Sequence, residues 1–170
     1  MALTLIETSG AADANTYISA ADADTYFESR VGGLSWDDID SEEREKALVH
    51  ATRVLDYSYD WSGYKTDDEQ ALDWPRESVW DKNELLLDED TIPTKVEEAT
   101  CELAYFLTTE DRFEEPDSRG IREMKAGTLN IVFDKKDPKE VIPANVIDML
   151  WDLGELVSSA SSGMKTVYRS

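Results

Sequence analysis

The sequence predicts a mainly α protein, a small bundle of about four helices with a β-hairpin insertion and an extended C-terminal arm. Two segments begin with N-capping residues and continue with apolar residues at helical spacing. Two later segments share an Ile-Pro start before a similar apolar stripe, and a stretch rich in β-branched residues lies between them. We expect one helical domain over residues 1–157 and a docking arm over residues 158–170.

The first two helices are predicted from their starts. Ser19 with Asp22, and Asp40 with Glu43, have the three-residue spacing of a capping box. Apolar residues then recur on one face, which predicts helices over about 19–31 and 41–60. The apolar positions are Ala23, Tyr26, Phe27 and Val31 in the first helix, and Leu48, Ala51, Thr52, Leu55 and Tyr59 in the second.

The third and fourth helices are predicted to start at Pro93 and Pro143, each preceded by isoleucine. Proline suits the first helical position, because the N–H group that it lacks would have no helical partner there. The apolar stripes are Val96, Ala99, Leu103, Phe106 and Leu107 in the third helix, and Val146, Leu150, Leu153 and Val157 in the fourth.

Two connections have a composition of their own. Residues 61–92 form a long loop, which a compact domain tolerates when the loop is packed by its own side chains. Residues 121–136 predict a β-hairpin with its turn near Lys125 to Thr128. The loop residues available for packing are Trp61, Tyr64, Leu72, Trp74, Val79 and Trp80.

The chain is strongly acidic, with 17 basic and 38 acidic residues and a net charge of −21. Affinity for nucleic acid comes largely from Lys and Arg side chains that displace counterions, so we expect no tight DNA binding. Residues 119–139 differ from the rest, because six basic and three acidic side chains give this segment a charge of +3. This segment marks a different surface.

Catalytic and metal-binding patterns are missing from the sequence, and we expect no enzyme activity, no cofactor and no metal. The single Cys101 excludes an internal disulfide and lies on an apolar helix stripe, which favours a buried, inert thiol over a reactive one. His50 is interpreted as a partly buried structural group and not as a general base. The acidic runs over 37–43 and 67–69 lack the spacing of a calcium loop, which favours solvated surface over a Mg²⁺ or Ca²⁺ site.

No segment is long and apolar enough to span a membrane, and we expect a protein that is not secreted.

The segment from Gln70 to Arg76 is the most distinctive local pattern. Pro75 biases Trp74 toward an extended conformation and would hold the two side chains of Trp74 and Arg76 on a rigid turn. One interpretation makes them an interface anchor, since both residue types dominate binding hot spots. The alternative places Trp74 over the core and pairs Arg76 with the carboxylate of Asp73 or Glu77.

A set of residues between positions 14 and 107 carries a family resemblance. They are Ala14, Asn15, Thr16, Tyr17, Asp24, Tyr26, Phe27, Arg53, Leu55, Asp56, Trp61, Gly63, the Gln70 to Arg76 segment, Ile92, Pro93, Cys101, Glu102, Leu103 and Ala104. In this order they resemble the head-tail adaptor (connector) proteins of tailed bacteriophages. Sequences of this type are also labelled DnaT-like single-stranded-DNA-binding proteins.

The resemblance implies a structural virion protein without catalytic residues. It would form a dodecameric ring beneath the portal protein, join the head to the next neck or tail protein, and let genomic DNA pass through its lumen without tight binding. Its location would be the neck of the virion, after assembly in the cytoplasm of the host bacterium. An acidic lumen would suit such passage, because it repels phosphate.

Three groups of residues are predicted to contact partners. The tip of the arm is β-compatible and follows a Ser- and Gly-rich linker, so we expect it to add a strand to a neighbouring protein such as the portal. The basic segment, through Lys135 and Lys136, would meet the acidic face of the next subunit or a neck protein. Trp74 and Arg76 form the third group. The residues of the tip are Met164, Lys165, Thr166, Val167, Tyr168 and Arg169.

Two other classes of function stay open. A single-stranded-DNA-binding replication accessory protein would need aromatic platforms and a basic groove. Aromatic residues make up 9% of the chain, but the composition indicates no basic groove. A small enzyme would need a nucleophile and a base, and the sequence suggests no such pair.

Overall fold

The structure, a computed structural model, describes residues 3–32, 34–109, 123–126, 129–132 and 142–157. Within these ranges the helices are α1 (Ala20–Ser29), α2 (Leu34–Asp37), α3 (Ser41–Ser58), α4 (Thr94–Thr109) and α5 (Ala144–Leu150). The strands are β1 (Tyr59–Trp61), β2 (Tyr64–Lys65), β3 (Arg76–Glu77), β4 (Glu123–Ala126), β5 (Leu129–Val132) and β6 (Gly154–Leu156). The predicted class, mainly α with a β insertion, is confirmed.

The first two predicted helices are present, and their N-terminal caps explain where they begin. The side chain of Ser19 accepts a hydrogen bond from the backbone N–H of Asp22 at 3.0 Å, as the capping-box spacing predicts. The carboxylate of Asp40 caps α3 but accepts from the N–H of Glu42 at 2.9 Å, one residue earlier than expected.

The two proline-led helices begin one residue later than predicted. Pro93 and Pro143 each precede the first helical residue, and the carbonyl oxygen of Pro93 already accepts from the N–H of Val96 at 2.8 Å. The predicted extension of the last helix to Val157 is wrong. The helix α5 ends at Leu150, because residues 154–156 pair with β1 as a strand.

In the described part of the chain, three antiparallel two-stranded sheets accompany the helices: β1 with β6, β2 with β3, and β4 with β5. The last is the predicted hairpin, in which Met124 lies opposite Ile131. The sheet of β1 and β6 joins the end of α3 to the segment after α5, with Tyr59 opposite Leu156. The predictions from sequence missed β1, β2, β3, β6 and the short helix α2.

The core lies between α3 and α4, with α1 and α5 packed against this pair. Leu48 and Leu55 on α3 and Leu103 on α4 are fully buried, as the apolar stripes predict. Trp36 on α2 is also fully buried and stacks on Phe27 with ring centroids 4.5 Å apart. The helix α2 therefore closes one side of the core.

A buried carboxylate ties three helices together. Glu102 on α4 is 7% exposed and accepts hydrogen bonds from the Tyr26 hydroxyl at 2.7 Å and from Asn145 Nδ2 at 3.0 Å. Arg30, just after α1, donates to both oxygens of Glu102. Burial, followed by the hydrogen bond to Glu102, raises the pKa of Tyr26. This network fixes α1 and α5 relative to α4.

Two further residues test the predictions for apolar positions. Cys101 is buried, as expected, and burial is the main cause that raises the pKa of its thiol. Val31 was predicted on the apolar face of the first helix but is 98% exposed, because α1 ends at Ser29.

Among the described helices, none has the length and apolar character needed to cross a membrane.

Candidate nucleic-acid interface

The long loop over residues 61–92 buries some of its aromatic side chains and exposes others. Trp61 and Val79 lie in the core, as do Leu72 and Trp74. The prediction that Tyr64 and Trp80 also pack inside is wrong, since they are 70% and 57% exposed. Exposed aromatic rings are the side chains on which nucleic-acid bases stack, so these positions are candidates for a binding surface.

The turn that contains Trp74 and Arg76 is built into the fold. Trp74 is 1% exposed, in agreement with the interpretation in which it covers the core. Arg76 donates to four backbone carbonyl oxygens, those of Trp61, Ser62, Gly63 and Asp73, at 2.7–3.3 Å. Its expected pairing with a carboxylate is therefore replaced by bonds to the backbone. Contact of these two residues with a partner stays a prediction.

A buried hydrogen-bond network supports this turn. The hydroxyl of Tyr17 donates to Asp56 Oδ1 and accepts from the N–H of Trp74 at 3.3 Å. The N–H of Asp73 donates to Asp56 Oδ2 at 3.4 Å. Burial is the largest cause of the raised pKa of Asp56, which is about 7, although the bond from Tyr17 lowers it.

Residues 79–87 form a small loop that presents Trp80 to solvent. Trp80 pairs with Leu86 in an isolated bridge, and the N–H of Leu87 donates to the carbonyl oxygen of Val79 at 2.9 Å. Asp81 Oδ1 accepts from the N–H of Leu85 at 2.9 Å. This bond is the main cause that lowers the pKa of Asp81. The loop is therefore held by its own hydrogen bonds.

Asp152 connects this loop to the end of α5. Its side chain is 3% exposed, and its Oδ2 accepts from the backbone N–H of Lys82 at 3.1 Å and from Lys95 Nζ at 2.5 Å. Trp151, the residue before Asp152, is 65% exposed. The bond from Lys82 therefore links the segment that carries Trp151 to the loop that carries Trp80, and the bond from Lys95 links the same segment to α4.

We call five exposed residues on these two linked segments the tryptophan face. It consists of two exposed indoles, two exposed leucines and one lysine, with Leu85 at 63% and Leu86 at 59% exposure. Aromatic side chains that accept stacked bases, next to a cation that can meet a phosphate, are the components of a surface for single strands. The members of the face are Trp80, Lys82, Leu85, Leu86 and Trp151.

Eight of the residues predicted from sequence to contact partners lie outside the described residues. They are Met164, Lys165, Thr166, Val167, Tyr168, Arg169, Lys135 and Lys136. His50 is exposed on α3, although the sequence predicted partial burial. In the part of the chain that the structure describes, no group of three or more His, Cys, Asp or Glu side chains is arranged to hold a metal ion.

Comparison with known proteins assigns the family. A family model described as "Putative DnaT-like ssDNA binding protein" matches residues 1–170. The chain belongs to this family. Searches of curated proteins and of solved structures found no match.

This assignment corrects the function expected from the resemblance. The full-length match is to a family of DnaT-like single-stranded-DNA-binding proteins, so the expectation of a head-tail adaptor is wrong. The expectations of a dodecameric ring, of docking on portal and neck proteins, and of DNA passing without being bound are wrong with it. The match favours the alternative, a protein that binds single-stranded DNA. Location in a virion and the lack of catalytic activity stay predictions.

The tryptophan face was missed for two separate reasons. Trp80 was counted among the residues that pack the long loop, whereas only its neighbour Val79 points inward. Trp151 lies off the apolar stripe that runs through Val146, Leu150 and Leu153, and this position does indicate exposure. No signal in the sequence links Trp151 to the loop of Trp80, because that link depends on the bond between Asp152 and Lys82.

Proposed function

We propose that this protein binds single-stranded DNA and that the tryptophan face is where the bases stack. The observation that carries the proposal is the pair of exposed indoles, Trp80 and Trp151, on elements joined through Asp152, in a chain of a DnaT-like family. Stacking on aromatic side chains tolerates any base, since every base has a π face. The expected substrate is therefore single-stranded DNA without strong sequence preference.

The net charge of −21 opposes this function but does not exclude it. At physiological ionic strength the screening length is about 8 Å, so carboxylates elsewhere on the protein act weakly on a strand bound at this face. Within the face, the charge of Asp152 is balanced by Lys95, and Lys82 shares the exposed loop with the carboxylates of Asp81 and Glu84. Stacking then supplies most of the affinity, and few phosphates are neutralised.

The weak dependence on charge has a measurable consequence. For single strands, the slope of log Kobs against log salt is about −0.7 for each neutralised phosphate. With one lysine, Lys82, at the face, we expect a slope of about −0.7. A basic groove that contacts many phosphates would give a much steeper slope.

The test is a fluorescence-anisotropy titration of a labelled oligothymidine of about 15 nucleotides at about 0.1 M salt. We expect a micromolar or tighter Kd for the single strand and weaker binding of a duplex of the same length. Trp80→Ala and Trp151→Ala should each remove about 1–3 kcal/mol of stacking, or about 5- to 150-fold in Kd.

The matched control is Tyr57→Ala, since Tyr57 is 59% exposed on α3 but is not part of the tryptophan face. This variant should bind like the unchanged protein. An unchanged protein that shows no binding at micromolar concentrations would contradict the proposed function. Equal losses from Tyr57→Ala and from the two tryptophan variants would leave DNA binding in place but move it away from this face.

A further inference from the structure

Asp152 forms the hydrogen bond that joins the two segments with exposed indoles. Its side chain is 3% exposed, and a single oxygen, Oδ2, accepts both the backbone N–H of Lys82 at 3.1 Å and the Nζ of Lys95 at 2.5 Å. Among the hydrogen bonds of the described residues, the bond from Lys82 is the one that joins the loop over residues 79–87 to the segment after α5. One carboxylate therefore connects the loop, this segment and the start of α4.

Each of the two segments is anchored in the core beside its indole. Leu153, two residues after Trp151, is 1% exposed, and Val79, the residue before Trp80, is fully buried. Residues 82–86 of the loop are all exposed and have no anchor of this kind. The bond from Lys82 is therefore what holds this part of the loop to the segment of Trp151.

The surroundings of Asp152 show which of its atoms carries the link. A buried carboxylate is costly unless it is paired and hydrogen-bonded, and Lys95 supplies the counter-charge. The other oxygen, Oδ1, is buried and has no hydrogen-bond partner among the described residues. Only Oδ2 joins the loop to the segment, so a side chain with one acceptor oxygen at this position would preserve the link.

We propose that Asp152 is a positioning residue for single-stranded DNA, which fixes Trp80 relative to Trp151 so that one strand stacks on both indoles. This inference rests on the proposed function. A strand that stacks on one ring reaches the second at a high effective concentration only if the geometry allows both contacts at once. Without the link, the strand must order the loop when it binds, and ordering of one mobile side chain typically weakens binding by about 2- to 12-fold.

The test compares Asp152→Ala with the conservative variant Asp152→Asn in the titration with labelled oligothymidine. Both variants remove one negative charge, which by itself would strengthen binding to DNA. Asparagine can keep its carbonyl oxygen at the position of Oδ2 and retain the bond from Lys82, whereas alanine cannot. We expect Asp152→Asn to bind at least as tightly as the unchanged protein, and Asp152→Ala to bind about 2- to 12-fold more weakly. Equal losses would assign the effect to the ion pair with Lys95 and overturn the proposal.

A double-mutant cycle separates positioning from general damage to the fold. If Asp152 acts by positioning Trp80, Asp152→Ala should have no further effect on the Kd once Trp80 has been replaced by alanine. General damage would instead weaken binding equally in both backgrounds. That outcome, or no loss in either background, would overturn the proposal.

Hydrogen exchange tests the link in the absence of DNA. The amide of Lys82 should exchange at least about tenfold faster in Asp152→Ala than in the unchanged protein, and at the unchanged rate in Asp152→Asn. If single strands bind but the three proteins exchange alike, the positioning role is wrong and the proposed function stands. If the exchange rates differ as expected but no strand binds, the proposed function is wrong, and the positioning role with it.

Discussion

Replacement of Glu102 by glutamine is the sharpest test of how the helices are held together. The substitution keeps the volume of the side chain but removes its charge and replaces one acceptor oxygen with a donor group. Four donor atoms, on Tyr26, Arg30 and Asn145, point at the two oxygens of Glu102. At least one of them would lose its acceptor, and the guanidinium of Arg30 would lose its counter-charge.

The cost follows from burial. Removal of one partner from a buried ion pair typically costs about 3–5 kcal/mol. Glu102 is 7% exposed, but Arg30 is 30% exposed, so water can partly replace the lost carboxylate at Arg30. We therefore expect Glu102→Gln to lower the free energy of unfolding by about 2–3 kcal/mol. For a chain of this size, that corresponds to a decrease in Tm of about 4–12 °C.

The assay is urea denaturation followed by tryptophan fluorescence, with thermal unfolding by circular dichroism as a second probe. The matched control is Glu42→Gln on α3, where Glu42 and Lys46 form an ion pair at 2.7 Å with both side chains more than half exposed. An exposed pair at this spacing contributes little to stability, because water and salt screen both charges. If the two glutamine variants lose the same small amount, the reasoning about the buried acceptor is refuted.

The remaining predictions concern a buried acid, a turn and the basic segment. The folded-state pKa of Asp56 is about 7 and lies above its ordinary value, so its contribution to stability is complete below about pH 4 and is lost as the pH rises through 7. As the pH rises over this range, the free energy of unfolding of the unchanged protein should therefore fall relative to that of Asp56→Asn. A difference between the two proteins that stays constant with pH would contradict the raised pKa. Gly63→Ala should lower the free energy of unfolding by about 3 kcal/mol in urea denaturation, because φ is +70° and the new Cβ would lie 2.2 Å from the carbonyl oxygen of Glu77; a loss below about 1 kcal/mol would show that the turn adapts. If the basic segment contacts DNA, reversal of Lys135 and Lys136 to glutamate should weaken binding and flatten the salt slope by about 0.7 per lost contact; an unchanged slope would exclude that contact.

The proposed function explains why net charge misled the prediction from sequence. Charge is a property of the whole chain, and a value of −21 does argue against a wide basic groove. Stacking is a local interaction that needs only a few exposed rings in the right places. The sequence contains Trp80 and Trp151, but the link between their segments depends on the bond that Asp152 accepts from the backbone N–H of Lys82.

The sequence by itself determined the four longer helices, because their caps and apolar stripes act within one or two turns. Ser19 and Asp40 start α1 and α3 through bonds to residues two or three positions away. The hairpin of β4 and β5 could also be predicted from the sequence, because its two strands are close together in the chain.

Only the tertiary structure decided the rest. The strand β6 is far from β1 in sequence, and the residues that flank it, Leu153 and Val157, continue the apolar spacing of α5, so that spacing does not predict the pairing with β1. The hydrogen-bond partners of Arg76 and Glu102 likewise lie on segments that are distant in the chain. Caps and periodicity report local interactions, whereas strand pairing, buried ion pairs and the tryptophan face arise from contacts between distant segments, which no local pattern encodes.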